Sequence, residues 1–362
     1  MNRISSLASC AVSLFLLALA LAPATLAQSS NVSVFATGFN NPRGLKFGPD
    51  GNLYVAEGGA GGTASTVGTC TQVVPPVGPY TGGLTSRISK VSPAGVVTTV
   101  VDGLPSSQTA ATQGSLVSGV GDLAFIGNTL YAVLSGAGCS HGVANTDNGV
   151  LRINSDGTTT MIADLSNFQK GHPAANPELG DFEPDGTWYG MLALNGTLYA
   201  VEPNHGELDS ITAAGRINKV VDISLLEGHI VPTAIATDGT NFFVGNLDTF
   251  PIKDGSSKVL KITPTGQLSV VYINLSDIVG LAFDSKGRLY VLENTTGNPF
   301  PTPGTGQIVR LNGKNGATVI ATGLTVPTAM TFGPDGNLYV SNIGFGAPPV
   351  GAGQIVKVTL TH

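Results

Sequence analysis

Charge is what this chain has least of. Asp, Glu, Lys and Arg make up 11% of its 362 residues, against roughly 25% in typical soluble domains. The formal net charge is −6, so the basic footprint that nucleic-acid binding needs is missing. No stretch sustains a 3.6-residue apolar periodicity, which argues against a helical protein. Long apolar runs are also lacking, with one exception at the start. Arg3 precedes an apolar run from Ala11 to Ala22, and Pro23 to Ala27 ("PATLA") is a small-residue exit. This reads as a secretory signal peptide over residues 1–27, cleaved after Ala27. The run is short for a transmembrane helix and none follows, so residues 28–362 are expected to be a secreted or periplasmic domain with no membrane span.

Cysteine is scarce as well. Of three, Cys10 lies in the leader, directly before the Ala11–Ala22 run, which leaves Cys70 and Cys139. An even pair in an oxidising compartment suggests a disulfide. Glycine, in contrast, is abundant at 49 copies. A surface built from hydroxyls and amides with frequent Gly turns suits an all-β protein.

A block recurs along the chain: an apolar strand, a Gly-containing turn, then an aromatic-bearing strand. The aromatic strands read "NLYVAE", "TLYAVL", "TLYAVE", "NFFVGN", "RLYVLE" and "NLYVSN", with aromatics at Tyr54, Tyr131, Tyr199, Phe243, Tyr290 and Tyr339. Two further strands follow in each block, as in "SRISKVSPAG" and "VVTTVV". Four strands at a period near 45–50 residues are the pattern of a β-propeller blade. The first and last blades share one nine-residue spelling, "FGPDGNLYV", at 47–55 and 332–340. The sixth blade lacks a fourth strand, and "VSVFATGF" before the first blade is spare. Tyr339 to the C-terminus is 23 residues and Gln28 to Tyr54 is 27, together one blade of 50. The expectation is a six-bladed ring of four-stranded blades, closed by the N-terminal strand, and a monomer. Closure removes exposed sheet edges.

In such a ring the Pro-Asp-Gly turns share one face, expected to be inert. The longer loops and the blade-to-blade links share the other, where function is usually carried. Cys70 and Cys139 fall in the long loops of adjacent blades one and two, so a bridge between them is geometrically plausible. The second strands end in Glu57, Leu134, Glu202, Asn246, Glu293 and Asn342. Five carboxylates or amides at one equivalent position form a ring on the loop face. Oxygen donors in a ring suit a hard cation such as Ca²⁺, with Glu57, Glu202 and Glu293 as its ligands; alternatively each caps its own loop by bonding backbone N–H groups. His141, His172, His205 and His229 also fall in loop-face segments. "VEPNHGELD" brings Glu202, His205 and Glu207 together, and His is a common metal ligand and acid–base group. The other reading of these residues is plain surface polarity in turns.

The blade text resembles NHL-type six-bladed propellers. "FATGFNNPRGLKFGPDGNLYVAEGG", "STVGTCTQVVPPVGPYTGG", "SRISKV" and "VVDGLPSS" resemble, more narrowly, the ScyD/ScyE family, over essentially all of residues 28–362. The resemblance implies a secreted or periplasmic six-bladed propeller and no particular reaction. Quinone-dependent sugar dehydrogenases share the hairpin "GLKFGPDG", but their His, Arg and Lys set is not found. Lactonases with this architecture carry an Asn directly before the inner strand's Gly-Leu, where this chain has Pro42-Arg43 and Pro327-Thr328. The reading is therefore a propeller that binds a small molecule or protein on its loop face near the channel mouth, with a metal-assisted lactonase or hydrolase, and then a quinoprotein dehydrogenase, as alternatives.

Overall fold

The computed structural model describes residues 27–177, 179–313, 316–346 and 350–361. The leader read at residues 1–27 falls, apart from Ala27, outside them. No helix among the described residues is long and apolar enough to cross a membrane.

Six antiparallel sheets succeed one another along the chain. Blade two runs Val120–Ile126, Thr129–Leu134, Gly149–Ile153 and Thr159–Asp164; blades three to five repeat that order. Blade six uses Ala329–Phe332, Leu338–Asn342 and Gly353–Val358, and its outer strand is Val32–Phe39 from the other end of the chain. The pairing runs Val32↔Val358 to Phe39↔Gly353, with two bulges that bend the outer strand. The all-β six-bladed ring and its closure by the N-terminal strand are thus both present. First strands line the axis, and those of blades six and one meet as neighbours there.

The repeated spelling has a physical cause. In "GPDG", Gly51 takes a left-handed φ of 75°, the position a side chain resists. The Asp50 carboxylate then accepts from the Asn52 backbone (3.1 Å), its side-chain amide (2.7 Å) and the Tyr54 hydroxyl (3.0 Å). Asp335 repeats all three with Asn337 and Tyr339. Burial and the Asp50 charge push the Tyr54 hydroxyl up to about 12. Four of the six aromatic rings also meet a phenylalanine of the next blade edge-on. Tyr54 meets Phe125 edge-on at 5.2 Å, Phe243 meets Phe283, Tyr290 meets Phe332, and Tyr339 meets Phe47. Such pairs contribute about 0.5–1.5 kcal/mol each beyond their burial, so the motif both closes its hairpin and joins neighbouring blades.

Blade one departs from the regular plan. Its outer strands, Thr81–Val91 and Val97–Gln108, run on into the loop face, and a two-residue strand, Val117–Ser118, makes a fifth. Residues expected as loop therefore form an extended ribbon. Two short helices, Leu165–Gly171 and Ile223–Glu227, interrupt the blade links. Asp164 and Asp222 cap them by accepting from the Asn167 and Leu225 backbones at 2.9 and 3.0 Å.

Candidate functional site

At the axis the ring is nearly full. The space between the first strands is about 30 Å³, room for about one water. Asp122 fills much of it: its oxygens accept from the Leu123 and Met191 backbones at 2.8 and 2.9 Å, and Lys46 stands 3.9 Å away. Burial pushes this carboxyl up, and Lys46 eases it. Gly44 is required here, since a Cβ would lie 1.8 Å from an Asp122 oxygen.

Above this plug, on the loop face, the mouth widens into a cavity of about 220 Å³ walled by residues of all six blades. Its walls are mainly apolar: Val77, Leu116, Val231, Val279, Trp188 and Phe345. The floor carries Arg43, only 6% exposed. The guanidinium donates to the Val117 carbonyl and lies 5.7 Å and 6.0 Å from the ring centres of Tyr189 and Phe345. Tyr189 in turn donates to the Thr328 carbonyl at 3.0 Å. Burial pushes its hydroxyl up and the Arg43 charge partly offsets this. Trp188, the chain's one tryptophan, is fixed by its indole N–H on Asp209 at 3.2 Å.

A second wall is acidic and carries Asp181 and Glu183. Glu183 accepts from the Tyr80 hydroxyl at 2.8 Å. Its other oxygen lies 3.3 Å from His141 Nε2, but that nitrogen has a better-directed partner in the Gly186 carbonyl at 3.1 Å. The oxygen is buried without a hydrogen-bond donor. His141 Nδ1 meets Ser107 Oγ at 2.8 Å. A serine, a histidine and a glutamate thus stand in line. Ser107 and His141 are both fully buried and neither lines the cavity, so this alignment gives no nucleophile that substrate can reach.

The sequence-derived candidates divide sharply. His229 lines the cavity. His141 and His205 stand behind its acidic wall, His205 with Nε2 on the Glu183 carbonyl at 3.1 Å. Burial lowers the pKa of His205 and keeps it neutral. His172 is exposed at a helix end, stacked on Phe168 at 4.2 Å.

The five oxygen-bearing strand ends do not converge. Glu57 accepts from the Asn40 backbone (2.6 Å) and from Arg87 (2.7 Å). Glu202 accepts from the Thr187 backbone (2.7 Å), Glu293 from Ser276 (2.6 Å) and Asn342 from Thr325 (2.8 Å), while Asn246 donates to the Ile230 carbonyl (2.9 Å). Each strand end thus has a partner 15–17 residues upstream, in the link that enters the same blade. Each is engaged within its own blade, the arrangement that the capping alternative describes. Among the described residues no three His, Cys, Asp or Glu are grouped to hold a metal ion. Replacing Glu57 with Ala is expected to cost about 3 kcal/mol, since the Asn40 N–H and the buried Ser89 hydroxyl lose their acceptor, and to leave cavity binding unchanged; thermal unfolding and a binding titration check the two halves.

The face expected to be inert is not smooth. A groove of about 510 Å³ between blades five and six carries Lys286 and Arg310 beside the second Pro-Asp-Gly turn. It is larger than the mouth cavity but lies off the axis and open to solvent. On the loop face, Cys70 and Cys139 are bonded, tying the long loops of blades one and two.

Sequence reasoning missed Arg43, Tyr80, Glu183, Trp188, Tyr189 and Phe345 as cavity residues. One signal was available. At the Arg43 position of the first strand, the other blades carry Thr233, Val279 and Thr328. Of these four blades, blade one alone carries a charge at that position.

With this geometry the chain is similar to several solved structures. One is a putative oxidoreductase (glucose dehydrogenase) from Thermus thermophilus, at 16% identity and a TM-score of 0.57, covering 92% of this chain and 100% of that one. Another is a gluconolactonase from Xanthomonas campestris, at 10% identity and a TM-score of 0.54, covering 94% and 92%. A third is virginiamycin B lyase from Staphylococcus aureus, at 15% identity and a TM-score of 0.50, covering 91% and 99%. The likeness is one of fold. No family model and no curated protein sequence matches the chain.

Proposed function

We propose that this protein is an extracytoplasmic binding propeller that holds a small, largely apolar molecule in the channel-mouth cavity. The observation that carries the reading is the cavity itself: six blades contribute to one apolar-walled hollow at the axis, floored by a buried Arg43. Ligand sites are concave, mostly apolar, and oriented by a few placed polar groups. At about 220 Å³ the hollow suits a fragment-sized molecule. The disulfide and the lack of a membrane-crossing helix among the described residues agree with an exported location.

Trp188 supplies the test. Titrating a panel of small apolar compounds should quench or shift its emission, and Leu116→Phe, which narrows the cavity, should weaken the response at least tenfold. If no compound moves Trp188, the reading fails.

A second reading, a hydrolase- or lyase-like enzyme, draws on one feature: the Glu183 carboxylate in the cavity wall, a group that can take a proton from a ligand. Chromatography of the ligand after incubation separates the two. A binding protein returns it unchanged, whereas an enzyme converts it and loses that conversion in Glu183→Gln.

A further inference from the structure

We propose that the ligand of the mouth cavity is a monocarboxylate on an apolar body, and that Arg43 is the residue that recognises its carboxylate; this rests on the reading that the cavity is a binding site. Burying an ion is costly unless it is paired. Arg43 is buried, yet no carboxylate of the described residues lies within ion-pair distance of it, although eight other ion pairs are formed. Its partners are the Val117 carbonyl, the Tyr189 oxygen and two ring faces. A guanidinium has five N–H donors, and the Val117 carbonyl takes one of them, which leaves others for a molecule in the cavity that Arg43 lines.

The ring faces hold the guanidinium plane without neutralising it. A carboxylate docks on such a plane with two parallel hydrogen bonds. The fold has no structural need for this charge, because the equivalent positions in other blades do their work as Thr or Val. Thr328 ties its blade to the next through the Pro42 carbonyl at 2.6 Å, a bond that an arginine in blade one forgoes.

The rest of the cavity narrows the class. The apolar walls take a hydrocarbon or aryl body. Asp181 and Glu183 line the same hollow and repel a second negative charge. A diacid is disfavoured, and so is an inorganic oxyanion, which leaves the apolar walls empty.

The experiment uses the full exported chain with Trp188 emission as the readout. The probes are 3-phenylpropanoate and octanoate, their neutral amides, octanedioate and inorganic phosphate. The expected result has the carboxylates binding at least 30-fold more tightly than the amides, with octanedioate and phosphate at least tenfold weaker than octanoate. Arg43→Met should remove at least 30-fold from carboxylate affinity and leave the amides within threefold, as loss of one partner of a buried charge pair predicts. Arg43→Lys should fall between, because it keeps the charge but loses the fork. Acids and amides binding alike would overturn the inference while the binding reading stands. Phosphate displacing octanoate at equal concentration would also overturn it, in favour of a general oxyanion site. Silence of Trp188 to every probe would remove the binding reading too. If Arg43→Met does not fold, the acid–amide comparison on the unaltered protein decides.

Discussion

Replacing both Cys70 and Cys139 with serine should lower the unfolding free energy by about 4 kcal/mol. The bridge closes 69 residues of chain. In the chain-entropy model, a loop of that length restricts the unfolded state by about 4 kcal/mol. The native side of the balance points the same way. The loop that carries Cys70 is rich in glycine, serine and threonine, and much of its hold on the body runs through the bridge region. Thr66 donates to the Cys139 carbonyl, and Gln72 donates to the Cys70 sulfur at 3.1 Å. Its far end delivers Val77 and Tyr80 to the cavity wall. For a domain of this size, a loss of 4 kcal/mol corresponds to a fall in Tm of about 6 °C. Thermal unfolding of the double variant beside the oxidised protein measures it. Cavity affinity should fall together with Tm, because Tyr80 holds Glu183 in place. A change below about 1 kcal/mol would mean that the ribbon of blade one pins the loop unaided.

The parts of the fold that are legible in the sequence are those written by local chemistry. A Pro-Asp-Gly turn with a tyrosine four residues after its aspartate marks the hairpins of blades one and six, and a Gly-containing turn followed by an aromatic-bearing strand marks the other four. Their spacing yields the blade count, and the leftover strands yield the closure. The disulfide follows once the loops are assigned to a face. The strand-end ring illustrates the limit. Glu57, Glu202, Asn246, Glu293 and Asn342 were identifiable as equivalent, and equivalence suggested convergence. Which way each side chain turns depends on the nearest unsatisfied N–H or carbonyl. That group sits in the link entering the same blade, 15–17 residues upstream, much closer than the axis.

The cavity was hidden for a different reason. It is assembled from single residues that lie up to some 300 positions apart, and no local period marks them. Arg43 broke the pattern of its position, but a break says little until the neighbours are known. Trp188 and Tyr189 lie in a link without repeat character, and Phe345 lies beyond the last aromatic strand. A site made where six non-equivalent loops meet carries no shared spelling. The groove on the opposite face was missed likewise, because it arises between two blades rather than within one.

Asp277 should make stability fall as pH rises from about 4 to about 7, and Asp277→Asn should abolish that fall. The residue sits in the link between blades four and five, fully buried, at a left-handed φ of 43° that asparagine tolerates. Neither carboxylate oxygen has a well-directed hydrogen-bond donor. Burial raises its pKa to about 7; the Asn298 amide eases the charge, while Asp254, Glu293 and Asp248 worsen it. An unfolded aspartate titrates near 4. Below that value both states hold the proton and the group is neutral to stability. Between about 4 and 7 the folded state holds a proton that the unfolded state has released, so stability declines with pH and levels off above the folded pKa. Three pH units at 1.36 kcal/mol each set a ceiling of about 4 kcal/mol. Relaxation of the loop face and water entry bring the expected loss to about 2 kcal/mol. Burial also raises the pKa of other carboxyls, Asp122 and Glu293 among them, so the wild-type profile is a composite. The difference between wild type and Asp277→Asn isolates one group. The variant should be about 2 kcal/mol more stable at pH 8 and equal at pH 4, as read from denaturant unfolding across that range. A variant less stable at pH 8 would mean that the ionised carboxylate finds a donor, and that the link between blades four and five is held by its charge.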